Sequence, residues 1–262
     1  MFHRRLVMLL AVDVGNTNIA LGVFDGKDLI QHWKIRSEQG KTSDEYEIVL
    51  LNLLSLANLE AKSIRSVIIS SVVPPLTPVF QSLSQDFLGV NPLVVGPGLK
   101  TGMPILYENP QEVGADRVVA SVAAFDKYGG PAIIVDFGTA TTFDAISKDG
   151  EYLGGAIAPG IQIAAEALYL KTAKLPRIEI KKPKHAIGRT TVTSMQSGMY
   201  FGYIGLISNI IAEVTKELGE DIKIIATGSF ASQIYPDLAS IEYLEPFLVL
   251  EGLRIVHDRN KE

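Results

Sequence analysis

The chain has 262 residues, a formal net charge of −5 and no cysteine. That length suffices for one large domain or two ordinary ones, and the acidic balance argues against a dedicated nucleic-acid binder. The absence of thiols excludes a disulfide framework, a thiolate metal site and a cysteine nucleophile. Arg4 and Arg5 precede the apolar run Leu6–Val12, as in a signal peptide, but the run ends in Asp13 without a small-residue cleavage site. A first buried strand is expected there, with the residues before Met8 a dispensable extension. No later apolar run approaches the ~20 residues that a membrane helix needs, so a cytoplasmic protein without membrane contacts is expected.

After that strand, "IALGVF" reads as a second strand and Asp25-Gly26 as a hairpin turn. A polar loop then leads to a helix over Ser43–Ala57, with Thr42 or Ser43 as N-cap. "SVIISSVVPP" (Ser66–Pro75) is a strand stopped by two prolines, "LTPVFQSLSQDFL" a helix and Pro92–Gly96 a strand. This alternation is that of an α/β protein. The Gly- and Pro-rich stretch Gly96–Gly114 reads as a linker, followed by a helix over Val113–Lys127. The pattern then restarts: strand "AIIVDFG", strand "TTFDAIS", turn Asp149-Gly150, strand and loop "YLGGAIAPG", and helix "IQIAAEALYL". A long helix over Thr191–Leu218, strand "IKIIATGS" and a final helix from Pro246 complete the chain.

The restart is an internal repeat of a half-molecule. "DVGNTN" at Asp13–Asn18 and "DFGTAT" at Asp136–Thr141 share the form D-x-G-[NT]-x-[NT], each at the end of an apolar strand and each followed by a second strand and an Asp-Gly turn. An aspartate at a strand end is costly to bury without a partner. The glycine after it permits a sharp turn and lets a ligand approach the backbone. Successive N–H groups in such a turn form an anion nest, to which Asn16, Thr17, Asn18, Thr139, Thr141 and Thr142 add side-chain donors. Two such turns suit the phosphates of a nucleotide, with Mg²⁺ held by the aspartates directly or through water. No G-x-x-x-x-G-K-[ST] and no G-x-G-x-x-G after a strand is present, which separates the chain from P-loop and dinucleotide-binding proteins. A third strand-to-turn element, "IIATGSFA" (Ile224–Ala231), offers Gly228 and Ser229 for close approach of an adenine or ribose.

Two such hairpins followed by A-T-G resemble the ATPase fold of actin, hexokinase and the heat-shock chaperones. "DVGNTN", "GADR" (Gly114–Arg117), "DFGTATTFD", "GGAIAPG" (Gly154–Gly160), "MQSG" (Met195–Gly198), "ATGSFA" and "LEGL" (Leu250–Leu253) together resemble the type III pantothenate kinases over nearly the whole chain. One departure is Ser229, where that family more typically has a second glycine. The resemblance implies two related ribonuclease-H-like domains of actin/hexokinase type, residues 1–113 and 114–262, with ATP in a cleft between them. It implies ATP-dependent phosphorylation of pantothenate to 4′-phosphopantothenate, the first step toward coenzyme A.

It also implies residue roles. Asp13, Val14, Gly15, Asn16, Thr17, Asn18, Ile19, Ala20, Thr139 and Gly228 contact ATP, and Asp13 assists Mg²⁺. Asp116 is the general base that takes the proton of the pantothenate hydroxyl. Because phosphoryl transfer is loose, the base mainly positions the nucleophile and an ordinary ionised carboxylate suffices. Tyr107, Gly114, Ala115, Asp116 and Arg117 bind pantothenate, whose carboxylate suits a guanidinium fork. Asp136 holds K⁺ or NH₄⁺, as a carboxylate suits a hard cation. Thr190 reaches the pantothenate of a partner subunit, so a homodimer built on the long helix is expected. From residues alone, Asp116 reads equally as a helix-start aspartate satisfying the dipole, Tyr107 as a loop aromatic and the Lys171–Arg189 stretch, with seven Lys or Arg and one Glu, as a solvated charged loop. The alternatives are a non-enzymatic regulatory relative, another kinase or phosphatase on the same scaffold, and a chaperone-type ATPase module.

Overall fold

The computed structural model describes residues 7–261; Arg4, Arg5 and the rest of the expected N-terminal extension before Val7 lie outside them. The chain divides into two compact units, each built on one five-stranded sheet.

In the first unit, β1 (Met8–Val14) pairs antiparallel with β2 (Asn18–Asp25), which pairs antiparallel with β3 (Asp28–Arg36). β4 (Ile64–Ser71) lies parallel to β1, and the two-residue β5 (Leu93–Val94) parallel to β4. The order is β3-β2-β1-β4-β5. β1 is buried at every residue but Asp13, because strands flank it on both sides and its faces are covered, so its sequence is an unbroken apolar run. The segment expected as a polar loop after Asp25-Gly26 is β3. Leu29, Gln31, Trp33 and Ile35 are half-buried and alternate with exposed residues, the period of a strand with one covered face.

Helix α1 (Ser43–Leu56) starts at Thr42, whose hydroxyl accepts from Glu45 N while Glu45 Oε2 accepts from Thr42 N at 2.9 Å. This reciprocal pair satisfies two donors that the first helical turn leaves open. Pro74 and Pro75 begin a short 3₁₀ turn, not the end of a strand, and α2 (Thr77–Ser82) continues into a π-helical turn, Leu83–Phe87. α3 (Ala115–Tyr128) follows the linker. The core gathers Leu10, Val12, Ile19, Leu21, Tyr46, Leu54, Ile69 and Phe80.

The second unit repeats the plan. β6 (Ala132–Phe137) pairs antiparallel with β7 (Ala140–Ile146), β7 antiparallel with β8 (Tyr152–Pro159), and β9 (Lys223–Thr227) parallel with β6. Beyond helices α4 (Ile161–Lys171), α5 (Thr191–Leu218) and α6 (Ala231–Ile234), β10 (Tyr243–Leu244) adds parallel to β9. Counted from β6, the strand order is that of the first sheet. Tyr200, Tyr203, Ile207 and Ile211 of α5 recur every three or four residues and are buried, forming the apolar stripe of a helix on a sheet. They join Ile133, Val135, Phe137 and Phe143 in the core.

The compact units do not coincide with the expected split after residue 113. Glu108–Ala123 and the stretch from Leu248 group with the first unit, and Met103–Tyr107 with the second. The final helix α7 (Leu248–Arg259) returns to the first sheet. A Cβ at Gly252 of α7 would stand 1.9 Å from the Val119 carbonyl oxygen of α3, so this helix crossing requires glycine. No helix among the described residues is long and apolar enough to cross a membrane.

Candidate active site

The first turn is fixed by β1 and β2. Val14 pairs with Ile19, leaving Gly15, Asn16 and Thr17 with Asn18 to close the reversal, and Gly15 N donates to Asn18 O at 3.1 Å. A Cβ at Gly15 would sit 2.9 Å from that same oxygen, closer than real side chains come, so the tight turn selects glycine. Asn16 and Thr17 are exposed, Asp13, Asn18 and Ala20 half-buried, and Val14 and Ile19 buried in the core. The last two can offer a ligand only backbone atoms. Thr17 O accepts from Ser37 N at 3.0 Å, so the chain leaving β3 braces the turn.

The Gly114–Arg117 segment is brought to the same end of this sheet. Val72, just past β4, donates its N–H to Val14 O at 3.0 Å, and its Cγ1 lies 3.6 Å from where a Cβ on Gly114 would be. That Cβ would also fall 2.5 Å from Asp116 Oδ1, so Gly114 makes room for the carboxylate. Asp116 occupies the first turn of α3, and its Oδ1 accepts from Arg117 N at 2.8 Å. Burial pushes the Asp116 carboxyl above the usual aspartate range, opposed by the Arg117 N–H and the Arg117 charge. This differs from the ordinary carboxylate expected from sequence, because desolvation disfavours the charged form more than these partners restore it.

In the second unit, Asp136 and Phe137 end β6 and the return is shorter: Phe137 pairs with Thr141, and Gly138 N donates to Ala140 O at 3.1 Å. Two glycines from other elements close on this turn. Gly160, ahead of α4, donates its N–H to Thr139 O at 3.2 Å, and a Cβ there would stand 2.3 Å from that oxygen. Gly228, at φ +95°, packs so closely on the turn that a Cβ would fall 2.3 Å from Asp136 Oδ1 and 2.6 Å from Phe137 N. Asp136, the exposed Thr139 and Gly228 are thus gathered at one end of the second sheet.

Thr142 stands opposite Asp136 in register and is half-buried. Thr141 is not available as a ligand donor. Strand alternation turns it to the opposite face, where it is fully buried and its hydroxyl bonds that of Tyr203 on α5.

The remaining two predicted residues lie elsewhere in the second unit. Tyr107 is 36% exposed, with its ring tilted against Tyr152 at 6.5 Å between centroids. Thr190 is the N-cap of α5, where its hydroxyl accepts from Thr193 N at 3.2 Å, and it lines a cavity of about 810 Å³ with Leu168, Arg189, Ser194, Met195 and Met199. Reading the residues did not single out Gly160 for the second turn; its signal was the position ahead of a helix in "GGAIAPG".

Two sheets of one strand order, each ending its first strand in an Asp-x-Gly turn, define an α/β protein of actin/hexokinase type. Solved structures agree on the fold. A Baf-family protein of Campylobacter jejuni superposes with TM-score 0.57 at 18% identity, covering 96% of this chain and 97% of its own. The ethanolamine utilization protein EutJ of Carboxydothermus hydrogenoformans gives 0.54 at 16%, covering 94% and 89%. The chain belongs to the type III pantothenate kinase family: residues 9–213 match that family's profile. It is 54% identical over 255 residues to the type III pantothenate kinase of Geobacter sulfurreducens, covering 97% of this chain and 100% of the relative. It is 49% identical over 253 residues to that of Myxococcus xanthus, covering 97% and 99%.

Proposed function

We propose that the protein transfers the γ-phosphoryl group of ATP to the primary alcohol of pantothenate, giving 4′-phosphopantothenate, with Asp116 as general base. The observation that carries this reading is the meeting of the Asp13 turn and the Asp116 helix start at one end of one sheet, in a chain of this family. The desolvated carboxylate supports the assignment, because a base whose pKa lies nearer the working pH accepts a proton more readily. Asp116 takes the hydroxyl proton as the oxygen approaches phosphorus, and Arg117 pairs with the pantothenate carboxylate. Gly114 and Ala115 present backbone groups, and Tyr107 lines the acceptor.

The Asp13–Ala20 turn, Thr139 and Gly228 contact ATP. Among the described residues no group of three or more His, Asp or Glu could hold a metal ion by itself, so Mg²⁺ is read as arriving with the nucleotide, with Asp13 reaching it directly or through water. When bound, it neutralises phosphate charge. Asp136 is assigned K⁺ or NH₄⁺, because a half-buried carboxylate at the end of β6 suits a hard cation. A homodimer is assigned to the exposed α5 face carrying Gly198, Phe201, Gly202 and Gly205, with Thr190 serving the partner's acceptor site. The working compartment is assigned to the cytoplasm. The regulatory, non-enzymatic alternative is not favoured by relatives that are pantothenate kinases along their full length.

The test is ADP release with Mg-ATP and K⁺, with and without pantothenate. ADP that forms only with pantothenate is the expected result; none from folded protein would overturn the reading.

A further inference from the structure

We infer that Asp144 and Tyr152 form a buried pair that positions Tyr107 for the acceptor, and so sets how tightly pantothenate is held; this rests on the proposed place of Tyr107 in the substrate site. Asp144 is 1% exposed and Tyr152 not at all. The Tyr152 hydroxyl donates to Asp144 Oδ1 at 2.7 Å, and the Thr142 hydroxyl donates to Oδ2 at 3.2 Å. A hydrogen bond to a carboxylate is stronger than a neutral one, so the Tyr152 ring has little freedom.

Tyr152 also holds the segment that carries Tyr107. Its N–H donates to Pro104 O at 2.9 Å, its carbonyl accepts from Leu106 N at 2.8 Å, and Ile105 forms a parallel bridge with it. The Tyr107 ring meets Tyr152 at 54° between planes. It also lies over Gly154, where a Cβ would stand 3.4 Å from Cδ2 and Cε2. Gly154 has φ +122°, a conformation that other residues rarely adopt. Tyr107 is therefore set by a locked ring and a glycine floor.

A buried carboxylate is a weak stabilising device compared with an apolar residue of its size, so its geometric effect on Tyr152 is the more specific role for Asp144. Thr142, the second donor to Asp144, stands opposite Asp136, which links the Tyr107 segment to the second turn. Asp144 and Tyr152 are positioning residues, acting through Tyr107.

The experiment compares pantothenate KM, ATP KM and kcat for the full chain, Tyr152→Phe, Asp144→Asn, Tyr107→Ala and the Tyr152→Phe/Tyr107→Ala double variant. Tyr152→Phe is expected to raise pantothenate KM about tenfold and to leave ATP KM unchanged. In the Tyr107→Ala background it is expected to add almost nothing, since both changes act on one contact. Asp144→Asn should move pantothenate KM the same way, and Tyr152→Phe, which keeps the ring, decides the matter if Asp144→Asn does not fold. If Tyr107→Ala raises pantothenate KM but Tyr152→Phe does not, or if the two effects add in full, the positioning role is wrong and the substrate site stands. If Tyr107→Ala leaves pantothenate KM unchanged, the place of Tyr107 in the site fails, and this inference with it.

Discussion

The two Asp-x-Gly turns arise from one topology yet are built to different tolerances. In the first, the reversal from Val14 to Ile19 is one residue longer than that from Phe137 to Thr141 in the second. The first turn is braced by a backbone bond from Ser37, and Gly15 is the residue its own geometry requires. The second is enclosed by Gly160 and Gly228, brought from elsewhere in the chain, where an added Cβ would come within 2.3 Å of Thr139 O and Asp136 Oδ1 respectively. Within the first unit, the helix start bearing Asp116 lies beside the first turn, at Val72. The difference indicates that a duplicated turn can be divided by its surroundings: the open one next to the Asp116 helix start, the enclosed one packed around the Asp136 carboxylate.

The comparison can be broken or sharpened by substitution, and the largest effect is expected in the enclosed turn. Gly228→Val places a branched side chain against Phe137 N at positive φ and should cost about 3 kcal/mol or more. Loss of soluble folded protein, or a steep fall in urea midpoint, is the readout, whereas the exposed Asn16→Ala in the open turn should leave the midpoint nearly unchanged. Asp136→Ala comes next: activity in K⁺ over Na⁺ should fall to a ratio of about one if a carboxylate suited to a hard cation is what discriminates, and equal rates in both salts for the unmodified chain would remove the ion from the second turn. Thr141→Val removes the buried hydroxyl bonded to Tyr203 and should lower stability by about 1–3 kcal/mol without changing ATP KM, measured by thermal unfolding and initial rates. The smallest effect has the opposite sign. Because burial raises the Asp116 carboxyl, the folded state favours its protonated form. Its stabilising contribution is complete below the ordinary aspartate pKa and is lost as pH rises through the raised value. Asp116→Asn should therefore raise the melting midpoint slightly at pH 7, an advantage that disappears below the ordinary aspartate range.

Much of this was legible because it is local. Asp13, Gly15, Asp136 and Gly138 stand at strand ends whose apolar runs are unmistakable, and the long helix read over Thr191–Leu218 is α5. β3 was not, although His32, Lys34 and Arg36 alternate with Trp33 and Ile35: its polar outer face resembles a loop until the strand that covers one side is known. The two-residue β10 carries no periodicity at all. The return of α7 to the first sheet depends on Gly252 meeting Val119, residues far apart in sequence, and no local pattern encodes that contact. For Asp116, the sequence supplied the residue but not its burial, which depends on how Gly114 and Val72 enclose it.

The most direct test of the central claim is pantothenate-dependent ADP formation by Asp116→Asn, measured beside ATP binding to the same protein. The account predicts turnover lower by about 10²–10⁴-fold with ATP affinity retained, because the base acts on the acceptor and the Asp13 turn on the nucleotide. Turnover near that of the unmodified chain would contradict it.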